Sequence, residues 1–335
     1  MRTTSRRAFT LVELLIVIGL IALLVSILLV SLRGLRQAAG RTDSLSTLRQ
    51  LAMAHSSYSQ ENDYRLIPGY IDASMMIDST PDQPFEDLIV RAPDGTVLDP
   101  EDAQSWVWRL APHFGFDIRA LLTDIGDKSL ESKFDAEVAA GVYGPATTGP
   151  GDIGIADHPA YGLNSIFIGG DSTHGGAYVT DRNPWDPDPA FANEILAATQ
   201  FSQVKKPARI ILFGPTARAA TTGALTTAYD DPNLGFAELR PPYLQRDATG
   251  QWNMPQWNLG AGGAVIRTTS GAYADGAGLP IVRAGIAEYP VSHLDGSAEV
   301  LRLEHLAPRI DSGGAQTMVD MSYWSAFEIN MGPGS

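Results

Sequence analysis

The side chain with the hardest chemical problem in this sequence is Glu13. It borders an apolar run, Leu14 to Leu32, of 19 residues without a charge, in which only Gly19, Ser26 and Ser31 are not strongly apolar. At about 1.5 Å of rise per residue such a run makes close to 30 Å of helix, the thickness of a bilayer core. A carboxylate at that edge is costly and calls for a counter-charge.

Four other groups of residues could do chemistry, and each has a simpler reading. Asp181, Asn183, Asp186 and Asp188 put oxygen side chains at close intervals in Asp-Arg-Asn-Pro-Trp-Asp-Pro-Asp-Pro, and calcium takes such oxygens. Three prolines fix that backbone, however, and neither the glycine nor the closing glutamate of an EF-hand is there. The segment reads first as an acidic turn cluster, with calcium the weaker candidate. Gly170-Asp171-Ser172-Thr173-His174-Gly175-Gly176 resembles a nucleophile loop. Ser172 and His174 are two apart, a spacing that does not turn nucleophile and base toward each other, and no strand–elbow–helix pattern surrounds them. A glycine-rich surface loop is expected. Asp157-His158 and His293/Asp295 each lack a second histidine at ligand spacing. No phosphate loop, dinucleotide fingerprint or zinc pattern occurs, so neither a cofactor nor an enzyme is expected.

The 335 residues are 44% hydrophobic, contain no cysteine and carry a net charge of −14. Disulfides and thiolate metal sites are thereby excluded. The leader, Met1–Ala8, holds Arg2, Arg6 and Arg7 and no acid, and the remainder has 21 basic and 38 acidic residues, a net of −17. So acidic a chain repels phosphates, and nucleic acid is not an expected partner. Arg33, Arg36 and Arg41 follow the apolar run, with Asp43 the first acid. Both flanks are basic, so the positive-inside rule does not choose between them. The shorter flank, the leader, is placed in the cytoplasm, and the acidic part outside the cytoplasmic membrane.

A secretory signal peptide would have an apolar core of about 7–15 residues and a small-residue cleavage site after it. Here the run is longer, and Ser31-Leu32-Arg33 is no such site. A plain anchor fits the length but leaves Glu13 unexplained. Arg6-Arg7-Ala8-Phe9-Thr10-Leu11-Val12-Glu13 resembles the class III signal of type IV pilins and type II secretion pseudopilins: a basic leader, a small residue, then Phe-Thr-Leu-x-Glu and an apolar helix. The resemblance implies cleavage between Ala8 and Phe9 by prepilin peptidase on the cytoplasmic side, N-methylation of Phe9, and an apolar helix retained on the mature protein. It implies further that the Phe9 amine of a neighbouring subunit pairs with Glu13 and sets registry on docking. Two features depart from the pattern. Ala8 stands where glycine is usual, and no proline falls between Met1 and Ile67, where many major pilins have one midway along the helix. Some pseudopilins hold calcium in a C-terminal loop, which bears on Asp181–Asp188.

The positioning elements follow. Leu35, Ala38, Ala39, Thr42, Leu45, Leu48, Leu51, Ala52 and His55 recur at helical spacing, which predicts one helix over 9–62, with 14–32 in the membrane and an outer apolar stripe against the chain's own globular part, 67–335. His55 reads as a packed core histidine. Beyond Ile67 the pattern predicts a hairpin around Asp94-Gly95, a helix broken at Pro112 within 106–122, and a helix near 131–140. It also predicts a strand at 161–168, a helix at 192–201, a buried strand at 208–214, a core segment at 281–287, and a hairpin, 288–293 with 299–303, turning at Asp295-Gly296. The expected class is α+β: a long N-terminal helix on a mainly antiparallel domain with short helices and long loops.

Tyr161-Gly162-Leu163-Asn164-Ser165, Pro207-Ala208-Arg209-Ile210-Ile211-Leu212-Phe213-Gly214 and Asp295-Gly296 resemble three segments of bacterial prepilin-like proteins whose C-terminal domain ends in a His-x9-Asp-Gly hairpin. Pro215 replaces the expected acid after Gly214, and Gly285 stands where the histidine would be. The function these features imply is a pilus or pseudopilus subunit in the cytoplasmic membrane, a minor one given its large globular part, with prepilin peptidase and other pilin subunits as partners. The alternative is an uncleaved, membrane-anchored enzyme or ligand-binding domain, for carbohydrate if Trp252 and Trp257 are exposed.

Overall fold

The computed structural model describes residues 11–69, 71, 89–99, 102–122, 128–141, 159–170, 197–217, 235, 237–239, 258–259, 266–267, 279–280, 288–302 and 321–324. The chain divides into two units, residues 1–43 and 44–335. Helix α1, Leu11–Glu61, is continuous, and no proline falls within it to break it. Its segment in the first unit is exposed at every residue from Leu11 to Leu28.

In the second unit α1 turns an apolar stripe inward. Leu48, Leu51, Ala52 and His55 are fully or almost fully buried, and Ser44, Ala54 and Ser59 flank them. The expected stripe is correct in period but begins later: Leu35, Ala38, Ala39 and Thr42 are exposed and Leu45 is half-buried. After α1 the chain reverses through Asp63 and Tyr64, both left-handed, at φ 52° and 61°. It then runs extended past the buried Leu66 and Ile67.

The apolar residues of α2 (Trp106–Leu110) are wholly buried. Pro112 lies in the 3-10 turn Ala111–Phe114 that follows, and left-handed Gly115 ends it, so the break falls where the proline predicts. Trp106 donates from Nε1 to the Ala237 carbonyl at 2.6 Å and packs its ring against Phe213 at 4.9 Å. Helices α3 (Arg119–Leu122) and α4 (Lys128–Ala139) follow. Arg119 joins them, with Nη2 2.7 Å from Asp135 and Nη1 2.8 Å from Asp117.

The sheet core is antiparallel. Strands β1 (Tyr161–Leu163), β2 (Ile211–Ala217), β6 (Glu288–His293) and β7 (Ala298–Arg302) lie in that order, and β5 (Leu279–Pro280) also pairs with β2. A separate pair joins β3 (Asn258–Leu259) to β4 (Ile266–Arg267). Helix and antiparallel sheet together make the α+β class. The β6–β7 hairpin closes on Asp295-Gly296, with Ser292 opposite Ala298, as the sequence indicates. The hairpin at Asp94-Gly95 is there in its described part, with Arg91 bridged to Val97.

Three expectations need correction. Residues 197–200, placed in a helix, are extended: Ala198 bridges Ile168 and Gln200 bridges Arg65, and only Phe201–Gln203 forms a 3-10 turn. The two backbone partners outweigh the local helical pattern. Strand β2 begins at Ile211, not at 208, because Arg209 N–H donates to the Lys206 carbonyl in a turn at Pro207. The 161–168 segment is strand only to Leu163; Ser165–Phe167 form a turn. Residues 281–287 lie outside the described residues.

Candidate functional site

In the first unit, Glu13 stands in the first described turn of α1. The one hydroxyl in the window Leu11–Leu28 is internally satisfied: Ser26 Oγ donates to the Leu23 carbonyl at 2.7 Å, which spares a polar atom in lipid. Window length and composition suit a membrane crossing, at about 27 Å of helix. Ala8 and Phe9 lie outside the described residues.

In the second unit, His293 and Asp295 do not converge as ligands. His293 Nε2 lies 3.0 Å from Glu299 Oε1. Asp295 Oδ1 accepts the Ser297 N–H at 2.9 Å and its hydroxyl at 2.6 Å, closing the hairpin turn. Partial desolvation pushes the Asp295 carboxyl up, but the Ser297 hydrogen bonds and the nearby His293 outweigh it and hold the group below the usual carboxylate range. Among the described residues no three His, Asp or Glu side chains gather as a metal set.

Residues 3–29 match the family model for the prokaryotic N-terminal methylation motif. The chain carries this motif at its N-terminus. The motif supports a type IV pilin- or pseudopilin-type precursor, and motif and apolar helix together fit an inner-membrane-anchored subunit. Comparison with curated proteins and with solved structures returns no match.

The match spans the leader arginines Arg6 and Arg7, the Ala8–Phe9 bond, Glu13 and most of the apolar run. Asp181, Asn183, Asp186 and Asp188, the loop 171–176, Asp157-His158, Trp252 and Trp257 lie outside the described residues. His55 is a core histidine, as expected: it is 1% exposed, and its Nε2 accepts the Ile67 N–H at 3.4 Å. Burial pushes its imidazole down to about 3, so it is neutral at ordinary pH.

The residues that organise the globular unit are Asn164, Gly214 and Tyr289. Asn164 is fully buried and donates from Nδ2 to the Ile211 and Trp324 carbonyls. Tyr289 donates its hydroxyl to the Pro215 carbonyl at 2.6 Å, and its ring lies over Gly214 so closely that a Cβ there would meet Oη at 2.5 Å. The Asn-Ser and Leu-Phe-Gly segments were legible as motifs; that Tyr289 is the partner of the second was not, since 75 positions separate it from Gly214.

Proposed function

We propose that this chain is a minor structural subunit of a type IV pilus-like filament or a type II secretion pseudopilus, and not an enzyme. Prepilin peptidase cuts between Ala8 and Phe9 on the cytoplasmic side, Phe9 is N-methylated, and the globular domain faces the periplasm or the exterior. The methylation motif over residues 3–29, running without a proline into the continuous helix α1, carries this reading.

Glu13 is then the registry residue. The Phe9 amine, created by cleavage, meets the Glu13 carboxylate of a neighbouring subunit as the stems pack, and each neutralises the other in lipid. The window Leu11–Leu28 anchors the precursor before assembly and lies among other stems after it. The size of the globular part supports a minor position.

The globular domain reads as a divergent relative of the His-x9-Asp-Gly class. In support, the three resembling segments fall on β1, on β2 and at the β6–β7 turn, which are neighbours in one sheet. The missing histidine and Pro215 are the divergence, and no calcium role for Asp181–Asp188 is part of this reading.

The test is to express Glu13→Ala and Phe9→Ala separately and assay the sheared filament fraction. Loss of the chain from that fraction, with normal membrane insertion, is expected for Glu13→Ala. Incorporation equal to wild type would overturn the registry role.

A further inference from the structure

We draw no further inference here: the strongest candidate, the surface patch of Tyr64 and Phe201 beside Lys205 and Lys206 just past the end of α1, is exposed, and nothing in the structure shows what covers it.

Discussion

Asn164 donates from its buried amide to the carbonyl oxygen of Trp324 at 2.9 Å, across 160 positions of sequence. The same nitrogen donates to Ile211 at 3.0 Å. One side chain thus ties the end of β1, the start of β2 and the C-terminal 3-10 turn Met321–Tyr323 together. No apolar side chain can do this, because two carbonyls in a dry interior need a donor.

Asn164→Ala should cost about 2–4 kcal/mol, the sum of the lost hydrogen bonds and two carbonyls left without this donor. Asn164→Asp should cost at least as much, since it turns an acceptor toward two acceptors. Denaturant unfolding of the full chain in detergent measures both. A cost below about 0.5 kcal/mol for Asn164→Asp would show that the amide is dispensable.

Gly214→Ala places a methyl group against the Tyr289 hydroxyl. The expected cost is about 1–3 kcal/mol, as for other overpacked cores. Tyr289→Phe alone should cost about 1 kcal/mol for the lost bond to Pro215. The double variant should be less damaged than the two costs added together, because removing the hydroxyl relieves the clash. Simple additivity in the same unfolding assay contradicts the contact.

His55 makes stability depend on acid. Its folded pKa is lowered to about 3 while the unfolded value stays at 6.5. Between these values the unfolded chain binds the extra proton, so stability is complete above about pH 6.5 and falls as the pH drops toward 3. The slope from this group approaches about 1.4 kcal/mol per pH unit. The physical loss is double: a charge in the core, and an Nε2 that can no longer accept the Ile67 N–H. His55→Gln should flatten the slope over that window. An equally steep curve in the variant assigns the acid sensitivity to other groups.

The long helix, the break at Pro112 and the β6–β7 hairpin were legible because each is written in local residue types. An apolar run, a proline and an Asp-Gly turn act over a few positions. What was not legible arises at long range. Residues 197–200 are extended because Ile168 and Arg65 supply backbone partners, and no window around Ala197 contains either. The apolar stripe of α1 was readable in period, but its start at Ser44 depends on where the globular core ends. At the N-terminus the motif is contiguous, and it was read in full from Arg6 to Glu13.

Proteolytic processing is the step on which the functional reading depends. The direct measurement is mass spectrometry of the N-terminal peptide of the chain purified from its membrane. The expected peptide begins at Phe9 and carries one added methyl group on its amine, with residues 1–8 absent. A peptide that begins at Met1, with Arg6, Arg7 and Ala8 still attached, would contradict the pilin-like reading and return the chain to the class of plain membrane-anchored domains.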